Sequence, residues 1–198
     1  FRIISQELKE SSLHFRFKIF GPEGPSWEAR KELRKSLVTE LETSYSSLKK
    51  TLPEDFFGKH CENLLTPGAR PDCSFAAISV SHCPVLGGFI FSFNQKISLG
   101  LDMEQSHRVN EQLIGRLSKT EELQKAPDPS LLWAAKEAAF KCMTPEQNLL
   151  LKHILIFKWI KIKPDHYHFY FQVEGQDIKG RGAAFLVDTL ALGFAILP

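Results

Sequence analysis

Apolar and polar residues alternate along this chain in two different periods, which together predict an α+β fold. A period of two predicts a pair of β-strands within residues 1–20, where Leu13, Phe15, Phe17 and Ile19 alternate with polar neighbours. Further strands are predicted at 75–80, 86–93, 97–103, 166–173, 183–188 and 191–197. A period near 3.6 predicts a long helix that begins after an N-cap at Ser26. Its apolar stripe consists of Leu33, Leu37, Leu41, Tyr45 and Leu48. Further helices are predicted at 108–124 and 129–142.

The order of these elements predicts two parts of similar make-up. Each half of the chain offers a helix and at least three strands, which favours a pseudo-duplicated α/β arrangement. We place the boundary near 95–105, which gives an N-terminal unit at 1–98 and a C-terminal unit at 99–198. The strand at 97–103 then ends close to the seam, and seams between units are common sites for ligand clefts.

Composition narrows the function classes. The formal net charge of +2 is too close to neutral to indicate nucleic-acid binding. No apolar run approaches the ~20 residues of a membrane-spanning helix, so no membrane association is expected. The cysteines at 61, 73, 83 and 142 form no Cys-x-x-Cys pair. We therefore expect four reduced thiols and a cytoplasmic protein.

The segment Leu-Gly-Leu-Asp-Met-Glu at 99–104 places two carboxylates on one face of a strand. Asp102 and Glu104 point the same way, with Cα atoms roughly 6.5–7 Å apart. Carboxylates at that separation can share one hard cation. We expect Gly100, on the same face, to leave room for a ligand. The ordinary alternative is a strand end with two solvated acids.

The segment Trp-Ala-Ala-Lys-Glu-Ala-Ala-Phe-Lys at 133–141 places a carboxylate and an ammonium one helical turn apart. Glu137 and Lys141 share a helix face with Trp133 and Phe140. A surface ion pair between Glu137 and Lys141 is the ordinary alternative. The two aromatic residues instead favour an inward-facing site, where a buried carboxylate needs a partner such as a metal ion.

These two segments resemble the paired signatures of the 4′-phosphopantetheinyl transferases. That family's pattern is similar to (Ile/Val)-Gly-(Ile/Val)-Asp-x-Glu, followed by Trp-(Ser/Ala/Thr)-x-Lys-Glu-(Ala/Ser)-x-x-Lys. Ser-Val-Ser-His-Cys at 79–83 resembles the family's Ser-His segment, and 116–122 resembles its Phe-Ser-x-x-Glu segment, with Leu117 in place of Phe. The length of 198 residues favours the surfactin-type branch, which implies a monomer folded as a pseudo-dimer of two similar α/β halves.

The resemblance implies a reaction and assigns roles. The enzyme would transfer the phosphopantetheine arm of coenzyme A to a serine of an apo acyl or peptidyl carrier protein and release adenosine 3′,5′-bisphosphate. Carriers of fatty-acid, polyketide or nonribosomal peptide synthesis all remain open. Mg²⁺ would bind Asp102, Glu104 and Glu137. Lys141 would contact the phosphates, and Glu137 would accept the serine proton.

Further residues are candidates for binding coenzyme A. Ser81 and His82 would meet its 3′-phosphate side, His82 with a charge-assisted bond if protonated, and Arg70 and Arg34 are additional phosphate contacts. Arg34 belongs to a basic helix cluster with Arg30, Lys31 and Lys35, which could equally be a solvated face. In the middle segment Lys119 and Glu121 match the pattern, where Glu121 could orient a base or simply stabilise a helix.

Two other functions stay open. A different Mg²⁺-dependent phosphoryl enzyme, such as a nucleotide hydrolase, is disfavoured because no Gly-x-x-x-x-Gly-Lys-(Ser/Thr) loop is present. A non-catalytic module that binds coenzyme A or a carrier protein is the other alternative. His166 and His168 have ligand-like spacing but are interpreted as an exposed strand, and His60 as incidental.

Overall fold

The computed structural model describes residues 13–20, 24–47, 61–144 and 147–198. In chain order these hold β1 (Leu13–Ile19), α1 (Trp27–Ser47), β2 (Cys61–Glu62), β3 (Asp72–Cys73), β4 (Ala77–His82), β5 (Leu86–Ser92), β6 (Ser98–Gln105), α2 (Glu111–Gly115), α3 (Thr120–Lys125), α4 (Pro129–Lys141), β7 (Ile154–Lys163), β8 (His166–Val173), β9 (Lys179–Val187) and β10 (Leu190–Leu197). Short 3₁₀ turns lie at 106–108 and 151–153.

The strands form three antiparallel sheets, which confirms the α+β prediction. One sheet has the order β1-β5-β4, a second has the order β6-β10-β9-β8-β7, and β2 pairs with β3. One helix accompanies the first sheet and three follow the start of the second. Within the described ranges, no repeated half is evident.

The two larger sheets and two helices stack in four layers. Leu33, Leu37 and Leu41 of α1 pack on Phe89 and Phe91 of β5. The opposite face of β5, through Ile90, packs on side chains of β6 and β10 between the sheets, namely Leu99, Leu101, Met103, Leu192, Phe194 and Ile196. Leu99, Leu101 and Met103 of β6 therefore face the core between the two sheets.

The other face of the second sheet is covered by α4, which approaches unusually closely. A Cβ on Gly100 would lie 1.7 Å from the carbonyl oxygen of Ala138, and one on Gly193 would lie 2.2 Å from that of Ala134. Small side chains on the helix complete the contact. Our prediction that Gly100 makes room for a ligand is therefore wrong, because the helix backbone fills that space.

A buried ion pair fixes α4 against its surroundings. The Lys136 ammonium, whose side chain is 0% exposed, lies 2.8 Å from Oε1 of Glu122 on α3. It also donates to the carbonyl of Ile154, at the start of β7. The Glu122 carboxylate accepts from the backbone N–H groups of Lys119 and Ile156, each at 2.9 Å. Neither residue was singled out from the sequence as a structural pair.

Two other predictions need correction. Cys61 and Cys73 are disulfide-bonded, because β2 and β3 place them opposite each other, so the prediction of four free thiols is wrong; Cys83 and Cys142 are free and buried. The helix predicted at 108–124 is interrupted, because the side chain of Asn110 caps α2 and the Glu122 carboxylate accepts from the backbone N–H of Lys119 at the start of α3.

His166 is buried and stacks on Phe185 at 4.3 Å, so the prediction of an exposed histidine strand is wrong at this residue. The N-cap at Ser26 is confirmed by its Oγ, which accepts from Ala29 N at 3.1 Å. Leu48, His60 and the residues before Leu13 lie outside the described residues. None of the described helices is both long and apolar enough to span a membrane.

Candidate active site

One cavity of about 470 Å³ opens where the edges of the two larger sheets meet. The edge strands β4 and β6 lie side by side there, and Ser79 Oγ accepts from Leu101 N at 2.9 Å. Helices α1 and α4 and the segment 67–71 complete the walls. All eight residues that the sequence predicted for binding or catalysis line this cavity: Arg34, Arg70, Ser81, His82, Asp102, Glu104, Glu137 and Lys141.

Lys141 joins the two sheets at the cavity wall. Its Nζ donates to Oδ1 of Asp102 at 2.7 Å, to Oγ of Ser81 at 3.0 Å and to the carbonyl oxygen of Leu101 at 3.0 Å. Ser81 Oγ also donates to Asp102 Oδ1 at 3.1 Å. The helical repeat brings Lys141 to this face of α4, and the strand alternation brings Asp102 to meet it. Lys141 of α4 therefore contacts both β4 and β6, the edge strands of the two larger sheets.

Three carboxylates face the cavity from this side. Burial raises the pKa of Glu137, and the nearby carboxylates of Asp102 and Glu104 raise it further, while Lys141 opposes them. Glu104 Oε1 accepts from Gln105 N at 2.8 Å and lies 3.3 Å from Arg108 Nη1. Mutual repulsion among acids is what a shared cation relieves, and carboxylate oxygens are the donors that Mg²⁺ prefers. The chemistry of this donor set therefore fits Mg²⁺.

The carboxylates do not converge as they stand. Within the described ranges, no three acidic, histidine or cysteine side chains lie close enough together to hold a metal ion. Asp102 is engaged by the Lys141 ammonium and Glu104 by the Arg108 guanidinium. The sequence motifs predicted that the three acids share one site, but not that Asp102 and Glu104 are each paired with a cationic side chain of the protein.

The opposite wall is cationic. Arg34 is only 5% exposed; its Nη2 donates to the carbonyl of Ala69 at 2.6 Å, and its Nη1 has no hydrogen-bond partner within the described part of the chain. Burial lowers the pKa of Arg34. Burial and the charges of Arg30, Lys141 and Arg34 also lower the pKa of His82. The lowered pKa favours the neutral form of His82 before an anion binds.

Arg70 and the two residues of the middle segment also contact residues outside the predicted site. Arg70 lines the cavity and donates to the carbonyl of Met143. Glu121 is 84% exposed and lies 3.8 Å from Lys125, and Lys119 pairs with Glu174 at 2.5 Å. Glu121 is thus a surface residue of α3, in agreement with the helix-stabilising alternative. Its neighbour Glu122, which the sequence did not single out, carries the buried charge.

The opposed charges give the cavity two ends, one able to hold anionic groups and one able to hold a cation. No known protein-family model matches this chain, and no curated protein is similar enough to it to count as a relative.

Proposed function

We propose that this protein is a 4′-phosphopantetheinyl transferase that moves the phosphopantetheine arm of coenzyme A to a serine of an apo acyl or peptidyl carrier protein. The observation that carries the proposal is the meeting of eight residues, from segments spread over 34–141, in one cavity. Six of them belong to the segments 79–83, 99–104 and 133–141 that resemble the family's signatures, whereas Arg34 and Arg70 lie outside those signatures. Unrelated surface residues would not be expected to line a single cavity.

The cationic wall suits the phosphates of coenzyme A. A buried guanidinium nitrogen without a partner is costly, and an anion that accepts its hydrogen bond removes that cost. Arg34 Nη1 would supply one such bond, and the neighbouring Arg30 and His82 would add charge and a further donor. An anion there would also stabilise the protonated form of His82.

The acidic wall suits the part of coenzyme A at which the transfer would take place. Asp102, Glu104 and Glu137 would hold Mg²⁺, which when bound neutralises phosphate charge and polarises the bond that breaks. Glu137 would also act as the general base. It would take the proton of the attacking serine hydroxyl. Lys141 orients Asp102 and lies within reach of a phosphate in the same cavity.

The proposal includes two broader features. The first is that the chain forms a pseudo-dimer of two similar halves, which is supported by the helix on the outer face of each of the two larger sheets. A monomer in the cytoplasm is the other. The Cys61–Cys73 disulfide is unusual for a reducing compartment, so peptide mapping of protein isolated from cells would test the location.

Titration of coenzyme A into the protein by calorimetry, with and without Mg²⁺, tests the proposal. We expect Mg²⁺-dependent binding that weakens in Arg34→Met by about 2 kcal/mol, or about thirtyfold in Kd, the value of a charge-assisted hydrogen bond. Arg16→Met is the matched control, because Arg16 is an exposed residue of β1 paired with Glu40. Absence of coenzyme A binding in the parent protein would contradict the proposal.

A further inference from the structure

We propose that the Lys141 ammonium competes with the divalent cation for Asp102, so that cation binding displaces the lysine into the anion end of the cavity. Lys141 would then act as a positioning residue that links the occupancy of the two ends. This inference depends on the proposed cation site but not on phosphopantetheine transfer.

The contacts of Lys141 leave it no spare donor. An ammonium has three N–H bonds, and the three acceptors of Lys141 are Asp102 Oδ1, Ser81 Oγ and the Leu101 carbonyl. A phosphate could therefore bond this lysine only if one of the present contacts were given up. The contact with Asp102, at 2.7 Å, is the shortest of the three.

The contact with Asp102 occupies one of the two oxygens that this carboxylate could offer a metal ion. The Asp102 side chain is only 10% exposed and that of Lys141 is 30% exposed, so the pair is shielded from water on most sides. Oδ1 already accepts two hydrogen bonds, from Lys141 and Ser81. A divalent ion at Oδ1 would have to replace both donors, and an ion at the other oxygen would repel the nearby ammonium. The divalent ion and the ammonium therefore compete for Asp102.

The cavity offers the displaced ammonium a second partner. Arg34, whose Nη1 is buried and without a partner within the described residues, lines the same cavity and would favour an anion there. An ammonium released from Asp102 would reach that anion from α4. The cation would thus favour anion binding, and by linkage the anion would favour cation binding to the same degree.

A titration with Mn²⁺ alone, followed by electron paramagnetic resonance, tests the competition. We expect Lys141→Met to bind Mn²⁺ about tenfold more tightly than the parent protein, within the range typical of linked sites. The matched control is Lys179→Met, which removes the same charge from an exposed pair with Asp177. Its Mn²⁺ affinity should equal that of the parent. In an Asp102→Asn background, Lys141→Met should bring no gain.

A second measurement uses the unchanged protein and so does not depend on whether a variant folds. With lysine labelled at ¹³Cε, saturation with Mg²⁺ should shift the Lys141 signal, which Lys141→Met identifies. The inference would be overturned if Lys141→Met bound Mn²⁺ equally or more weakly than the parent protein, or gained the same affinity in the Asp102→Asn background. It would also be overturned if no form bound Mn²⁺, or if the Lys141 signal did not move. Neither experiment contains coenzyme A or a carrier, so failure of transfer alone would leave it standing.

Discussion

Replacement of Gly100 by alanine tests the contact that sets the distance between α4 and β6. The added Cβ would lie 1.7 Å from the Ala138 carbonyl oxygen, whereas ordinary contact begins near 3.4 Å. By difference the helix backbone must retreat by about 1.7 Å, and no side-chain rotation can relieve a clash with backbone. Overpacking of this kind costs about 1–3 kcal/mol, and we expect the upper end of that range.

Gly115→Ala is the matched control for this substitution. Gly115 is the last residue of α2, and a Cβ there would meet nothing within 4 Å. Alanine is also the better helix former, so its variant should be unchanged or stabilised by up to about 1 kcal/mol.

Urea unfolding followed by circular dichroism measures both variants. The reasoning predicts a lower unfolding midpoint for Gly100→Ala and an equal or higher one for Gly115→Ala. If Gly100→Ala unfolded within about 0.5 kcal/mol of the parent protein, the close packing of α4 on β6 described here would be refuted.

Two further predictions concern charges. Glu122→Gln should lower the free energy of unfolding by about 3–5 kcal/mol, because it leaves the Lys136 ammonium buried without its carboxylate. Adding Lys136→Met should recover most of the loss. A loss under about 1 kcal/mol for the single variant, measured by urea unfolding, would contradict this. In an NMR titration, His82 should have a pKa below its ordinary 6.5, and coenzyme A should raise it. Because binding raises this pKa, the affinity should increase as the pH falls through it, and an unchanged pKa on binding would contradict the proposed anion end.

Local periodicity predicted the parts of the site that depend on one element at a time. The two-residue repeat of β6 placed Asp102 and Glu104 on one face, opposite the buried Leu101. The helical repeat of α4 placed Glu137 and Lys141 on the cavity side. These patterns follow from backbone geometry, so no knowledge of the neighbouring elements was needed.

Contacts between elements could not be predicted in the same way. We predicted that Gly100 leaves room for a ligand because nothing in the sequence shows that the backbone of Ala138 approaches it. The pairing of Cys61 with Cys73 follows from strands of two residues each, too short to leave a periodic signal. Lys136 and Glu122 look like surface residues of helices by type, and only the packing of α3, α4 and β7 buries them together.

The central claim is tested most directly by mass spectrometry of apo carrier proteins incubated with this protein, coenzyme A and Mg²⁺. A panel of fatty-acid, polyketide and peptide carriers should include one that gains the mass of a single phosphopantetheine. The gain should disappear with EDTA and in Glu137→Gln, and persist in Lys179→Met, whose substitution lies on an exposed pair. Tight coenzyme A binding without any gain on the panel would contradict the proposed transfer and favour a non-catalytic binding module.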